Sequence, residues 1–407
     1  MPTTRRTFLT QGAAGLSFVS LGGSMPGLFA RVAEASVDSD ANDHVLVVLE
    51  LAGGNDGLNT VVPFEDPLYY KNRKRLSLPK DEVQKLTNLV GLHPMMGPLA
   101  GLFKEGELAI VQGVGYPKPD RSHFRSMEIW HTASVESLAP STGWIGRCLD
   151  SVETSGDQAP RAMALTSSTP QALVAEHQVF PVVAQLDTFN PEEDARLESG
   201  QIRRRLMTGP EASGSLGFLR RQSNAVYKMA DQLKLATERY KTGMEYPESA
   251  LGAQLKRAAQ IIAGRMGIRV LFASQDGYDT HANQLESHAR LLGELASGLA
   301  AFRKDLTAQG LADQVVVMVF SEFGRRVDEN ASLGTDHGAA SNLFLLGRKV
   351  KGGLVGKYPS LGELGEGDLI YNTDFRSVYA TLLDQWLGCP SEKTLGQKFP
   401  TLGLVQS

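Results

Sequence analysis

The chain has 407 residues, 42% hydrophobic and 21% charged, with a formal net charge of −4. That length suits one large domain, or a domain with a sizeable insertion, and the composition is that of an ordinary soluble globular protein. Charge this close to balance supplies no basic field, which argues against a nucleic-acid partner.

At the start of the chain, Arg5-Arg6-Thr7-Phe8-Leu9 resembles a twin-arginine export signal. The uncharged stretch that follows, residues 12–29, is too rich in glycine and too mildly apolar for a membrane span. It runs to Ala33-Glu34-Ala35, a small-x-small cleavage pattern. The expectation is a signal over residues 1–35, passage through the twin-arginine translocase, and a mature chain in the periplasm without a stable membrane span.

Six apolar runs of strand length follow, at residues 44–51, 107–112, 162–166, 268–273, 314–320 and 342–346. Runs apolar on both faces predict strands covered on both sides. Helical spacing of apolar residues recurs over 285–306 and 376–387. This alternation predicts an α/β fold with a mostly parallel central sheet flanked by helices. Residues 187–262 are polar and helical in pattern, with helices expected over 216–240 and 250–264. They suit a helical insertion or cap better than a crossover, being far longer than a crossover needs. Residues 36–407 are otherwise read as a single domain. Cys148 and Cys389 lack metal-type spacing and are expected as two buried thiols, since a chain folding in a reducing cytosol does not depend on a disulfide.

The chemistry-bearing residues fall just after strands, where open α/β sheets bind ligands. Gly53-Gly54-Asn55-Asp56-Gly57 follows the first run; Asp56 there reads either as a turn cap or as a ligand. After the second come Arg121, Ser122 and His123, just ahead of a helix. A serine at a helix N-terminus suits a nucleophile, with Arg121 or Arg125 on the oxyanion, and equally suits an ordinary N-cap. Asp279 and His281 make a metal half-site, and His288 lies two helical turns beyond His281. Glu322 ends the fifth run beside Gly324, with Arg325 and Arg326 as rival salt-bridge partners. Asp336 and His337 stand between glycines before the sixth. Together these carboxylates and imidazoles suit a divalent metal: zinc or manganese, with calcium or magnesium also compatible. The number of ligands suggests two metal positions with a hydroxyl nucleophile, as in phosphoryl or sulfuryl transfer.

These elements, with residues 49–59, 121–124, 277–281, 321–325 and 334–338 as their cores, resemble the bacterial family known as domain of unknown function 1501. The family is similar in turn to the alkaline phosphatase and sulfatase superfamily. The resemblance implies a central, mostly parallel sheet with metals at the strand ends. It places Asp56, Asp279, His281, Glu322 and His337 as metal ligands, Asp336 beside them, and Ser122 as the nucleophile, with Arg121 and His123 adjoining it. Phe323 departs from the superfamily pattern, which has histidine there, and leaves a position for Asp336 or His123 to refill. The sulfatase activation motif is absent. The reading that results is an exported metal-dependent hydrolase of a phosphate or sulfate ester, its substrate a small molecule or a glycan. The alternatives are a non-catalytic envelope binding protein with a degenerate site and a calcium-stabilised scaffold.

Overall fold

The computed structural model describes residues 44–136, 138–152, 160–184, 217, 233 and 235–406. The expected export signal and most of the helix expected over 216–240 lie outside these residues. Eight strands form the main sheet: β1 Val45–Ala52, β2 Leu108–Gly115, β3 Ala162–Ala164, β4 Val270–Asp276, β5 Val315–Phe320, β6 Ser341–Leu346, β7 Gly353–Val355 and β8 Thr373–Asp374. Their order is β7-β2-β6-β5-β1-β4-β3, with β8 pairing the end of β2. Every pairing is parallel except those of β6, which runs against β2 and β5. This is an α/β fold with a mixed, mostly parallel sheet.

The continuous apolar runs exist because both faces of the sheet are covered. On β1, Val45, Val47, Leu49 and Leu51 point into one core, while Leu46 and Val48 point into the other. On β5 the same alternation divides Val315, Val317 and Val319 from Val316, Met318 and Phe320. Helices α1 Gly97–Lys104, α4 Ala250–Ala263 and α5 Gln284–Ala308 close the first core. Helices α2 His123–Thr132, α3 Trp144–Ser151 and α6 Phe375–Leu382 close the second. Helix α4 falls at the end of the expected insertion, yet Leu251, Leu255, Ala258 and Ile262 are core residues, so it is a layer of the fold. No helix among the described residues is long and apolar enough to cross a membrane.

Cys148 on α3 and Cys389 beyond α6 form a disulfide, where the sequence suggested two thiols. Packing of α3 and the segment after α6 on one face brings the two Cα atoms to 5.6 Å, within the span a disulfide bridges. Spacing along 241 residues carried no trace of that proximity.

Candidate metal centre

Four loops converge at one edge of the sheet. Three leave the C-terminal ends of β1, β4 and β5. The fourth carries residues 334–340 and enters β6, whose reversed direction brings its start to the same edge. A bridge between Arg325 and His337 ties the last two together. The loop after β2 joins them through α2, where Ser126 Oγ donates to the carbonyl of Glu322 and contacts the Tyr116 hydroxyl at 2.8 Å.

Arg325 organises this edge. Buried at 2% exposure, it donates to the carbonyls of Gly53, Gly54, Tyr278 and Thr335, and at 2.8 Å to Asp279 Oδ1. The β1 loop must lie close for this to happen. Gly53 and Gly54 hold φ of +117° and +77°, and a Cβ on either would collide with the Asp279 backbone or the Phe323 ring.

Asp279 is the centre of the cluster. Its Oδ1 lies 3.0 Å from both His281 Nε2 and His337 Nε2, which are themselves 2.9 Å apart. His123 Nε2 approaches Oδ2 at 3.5 Å. Each ring is fixed from behind through its other nitrogen. His337 Nδ1 lies 2.8 Å from the Arg121 carbonyl, His123 Nδ1 is 2.9 Å from Glu322 Oε1, and His281 Nδ1 is 3.3 Å from Asp336 Oδ1. Carbonyls and carboxylates accept, so each Nδ1 carries the hydrogen and each Nε2 is left with a lone pair in the neutral ring. Three lone pairs thus face one carboxylate with no hydrogen between them. A divalent cation, or protons on the imidazoles, must neutralise that convergence. His123 Nε2 is buried and has no hydrogen-bond partner, so a cation held there would satisfy it. Fixing the far nitrogen with a carboxylate or carbonyl is what metal-binding histidines show. His123, Asp279 and His337 present ligand atoms within 4.8 Å of one another, a group that can hold a metal ion.

The electrostatics agree with a cation site. Burial raises the Asp279 carboxyl, but the hydrogen bond and charge of Arg325, with the neighbouring imidazoles, outweigh it and bring the pKa to about 2. Glu322 is likewise lowered, against its burial, by His123, the Gly53 amide and Ser321. The Glu322 hydrogen bond raises His123.

The sequence-predicted residues divide into groups. Asp279, His281 and His337 meet at one point, joined by His123. Glu322 and Asp336 stand behind His123 and His281 and do not face the centre. Asp56 is elsewhere: fully buried, it receives both Arg73 guanidinium nitrogens at 2.6 and 3.1 Å, the Gln284 amide, and the Leu58 amide of the turn it caps. Its oxygens are saturated, which removes it as a ligand. Among the described residues, the ligand atoms close enough together to hold an ion are those of His123, Asp279 and His337. His288 does not share the face of His281; it is buried against Asn55 Oδ1, and burial lowers it to about 4. Ser122 is the exposed N-cap of α2, and its side chain does not cap the helix. Arg121 donates to Asp368 and lies 3.5 Å from Glu366, and Arg125 is taken by Glu128 and by carbonyls of Val135 and Glu136. Neither arginine is placed as an oxyanion holder. Phe323 lies against His123 and His337, its ring centre 4.9 and 4.7 Å from theirs. The roles of Arg73 and Arg325 escaped the sequence reading; the arginine closing Ser-Glu-Phe-Gly-Arg325 was the one available signal.

An α/β protein with a histidine-rich candidate metal centre at its strand ends is the class these features define. The chain belongs to the family "Protein of unknown function (DUF1501)", whose model matches residues 93–393. No curated protein matches the sequence. Among solved structures the chain is similar to a protein in the alkaline phosphatase superfamily from Vibrio parahaemolyticus, at 10% identity over 97% of this chain and 78% of that one, TM-score 0.38. It is similar to the lipoteichoic acid synthase of Listeria monocytogenes at 10% identity over 96% and 79%, TM-score 0.36. The phosphonate monoester hydrolase of Silicibacter pomeroyi matches at 10% identity over 87% and 77%, TM-score 0.37.

Proposed function

We propose that this protein is an exported, metal-dependent hydrolase of phosphate or sulfate esters. The observation that carries the reading is the convergence of His123, His281 and His337, each fixed through Nδ1, on the Asp279 carboxylate. Three imidazole nitrogens and one carboxylate oxygen suit zinc or manganese better than calcium or magnesium, which favour all-oxygen sets. Such an ion, when bound, supplies Lewis-acid polarisation of an ester oxygen.

The chain's own groups perform the rest. Ser122 stands beside His123 with a hydroxyl not spent on capping, and is the candidate nucleophile. The first-turn amides of α2, left uncapped by that side chain, offer N–H groups to ester oxygens at the positive end of the helix dipole. They take the part first given to Arg121. Glu322 and Asp336 keep His123 and His281 in one tautomer. Export through the twin-arginine route remains the reading of residues 1–35, and the Cys148–Cys389 pairing supports an oxidising destination such as the periplasm.

The alternative, a non-catalytic envelope binding protein, draws on one observation: Arg121 and Arg125 are both committed to carboxylates. Elemental analysis of gently purified protein, followed by a panel of phosphate and sulfate esters on wild type and Ser122→Ala, decides between them. Hydrolysis lost in Ser122→Ala, with metal content unchanged, supports the nucleophile. Metal-loaded protein that turns over no ester favours the binding protein. Less than about one ion per chain counts against the metal centre itself.

A further inference from the structure

Behind the metal centre runs a chain of buried polar groups outside the ligand set. Gln284, the first residue of α5, is fully buried, and so are Asp56 and Thr335. Its side-chain amide joins the β1 loop to both loops that carry Asp279 and His337. Nε2 donates to Asp56 Oδ2. Oε1 accepts from the Thr335 hydroxyl at 2.6 Å and from the Thr280 hydroxyl at 3.0 Å.

The orientation of this amide follows from Asp56. Burial raises the Asp56 carboxyl, but Arg73 outweighs it and keeps the group ionised at neutral pH. A carboxylate only accepts, so it takes the N–H end of Gln284 and turns the oxygen toward the two hydroxyls. Those hydroxyls sit beside the ligands in the chain. Thr280 stands between Asp279 and His281, and Thr335 is two residues ahead of His337. The same two threonines pair through the backbone, the Thr335 amide donating to the Thr280 carbonyl at 3.2 Å. Arg325 reaches the two loops through other atoms, the Thr335 carbonyl and Asp279 Oδ1. Two hydroxyls that share one buried oxygen cannot move apart without one of them losing its bond, and an unmade buried bond is costly.

We propose that Gln284 is a positioning residue of the metal centre: anchored on the Asp56–Arg73 pair, its carboxamide ties the Asp279 loop to the His337 loop and sets the separation of their ligand atoms. Asp56, which binds no metal, thereby acts on the centre through Gln284. The assignment deepens the metal-dependent reading and rests on it for the ion. Its geometry rests on hydrogen bonds alone.

Thr335 supplies the test, because two substitutions separate its hydroxyl from its packing. Thr335→Val keeps the branched shape and removes the hydrogen bond, whereas Thr335→Ser keeps the hydroxyl and removes a buried methyl. The full chain is stripped of metal with chelator and titrated with cobalt(II), whose visible absorption reports the arrangement of its ligands. Thr335→Val should bind cobalt about tenfold more weakly than wild type, with a shifted absorption band, and Thr335→Ser should restore both. Gln284→Met, which keeps the length and removes both bonds, should lose at least as much; the Thr335 pair decides the matter if that variant fails to fold. Urea melts of the same proteins separate stability from metal binding. A hydroxyl that serves the fold alone would lower the stability of Thr335→Val and leave its cobalt affinity and spectrum as in wild type, and that result overturns the proposal. A serine variant as weak in cobalt binding as the valine one overturns it too. Wild type that takes up no cobalt sinks the metal-centre reading and the positioning role with it; cobalt held equally by wild type and Thr335→Val sinks the positioning role alone.

Discussion

Glu322 Oε1 accepts the Nδ1 hydrogen of His123 across 2.9 Å, and this one contact decides which nitrogen of His123 faces Asp279. Glu322 is only 1% exposed and also accepts from the Gly53 amide and the Ser321 hydroxyl, so the imidazole is held by a carboxylate that is itself immobile. The same logic, repeated at His281 and His337, turns three ordinary histidines into one oriented set.

Glu322→Gln should therefore weaken metal binding about ten- to a hundredfold without emptying the site, because an amide accepts a weaker hydrogen bond and polarises the ring less. A competition titration against a chromophoric chelator measures this. Affinity equal to wild type would remove His123 from the ligand set.

His337→Ala should abolish stoichiometric metal while leaving the fold intact, since His337 is a loop residue outside the apolar cores. Metal content by elemental analysis, read beside circular dichroism, is the check. Retention of one ion per chain would place the metal elsewhere.

Asp56→Asn should cost about 3–5 kcal/mol at neutral pH, because it leaves the buried Arg73 charge unpaired. The pH dependence has a definite sign. Burial raises the Asp56 carboxyl, but Arg73 outweighs it and sets the folded pKa at about 2, below the ordinary 3.8. A lowered folded pKa means stabilisation that is complete above the unfolded value and lost as pH falls through the folded one. The shift corresponds to about 2 kcal/mol. Urea melts of wild type and variant should thus approach each other between about pH 4 and pH 2. A gap that stays constant over that range would show that folding does not lower the Asp56 pKa.

Reduction of Cys148–Cys389, or a double serine variant, should lower stability by about 2–4 kcal/mol and leave metal content unchanged. The bond ties α3 to the loop after α6 in the core opposite α5, so it braces packing and does not touch the centre. Denaturation with and without reductant reads the first expectation, and elemental analysis the second.

Much of the architecture was legible because its signals are local. A strand buried on both faces announces itself as a short apolar run, and all six expected runs are strands of the sheet. Strands β7 and β8 went unread: three and two residues long, they carry too little pattern. The histidines and carboxylates at the strand ends were also visible, as residue types beside glycines. Their division of labour was not. Asp56 has the same local dress as Asp279, an aspartate in a glycine turn after a strand. One is cancelled by Arg73 and the other shared among imidazoles, and the difference is made by partners 17 and about 58 positions away.

By itself, then, the amino-acid order determined the strand and helix runs, the family motifs and the list of groups able to bind a cation, since each depends on neighbours in the chain. Tertiary structure alone decided which of those groups meet. The antiparallel course of β6 brings His337 to the edge where the parallel strands end, Arg325 draws the β1 and β4 loops together, and acceptors distant in the chain choose the open nitrogen of each ring. Those are long-range facts of packing and hydrogen bonding, and no local pattern encodes them.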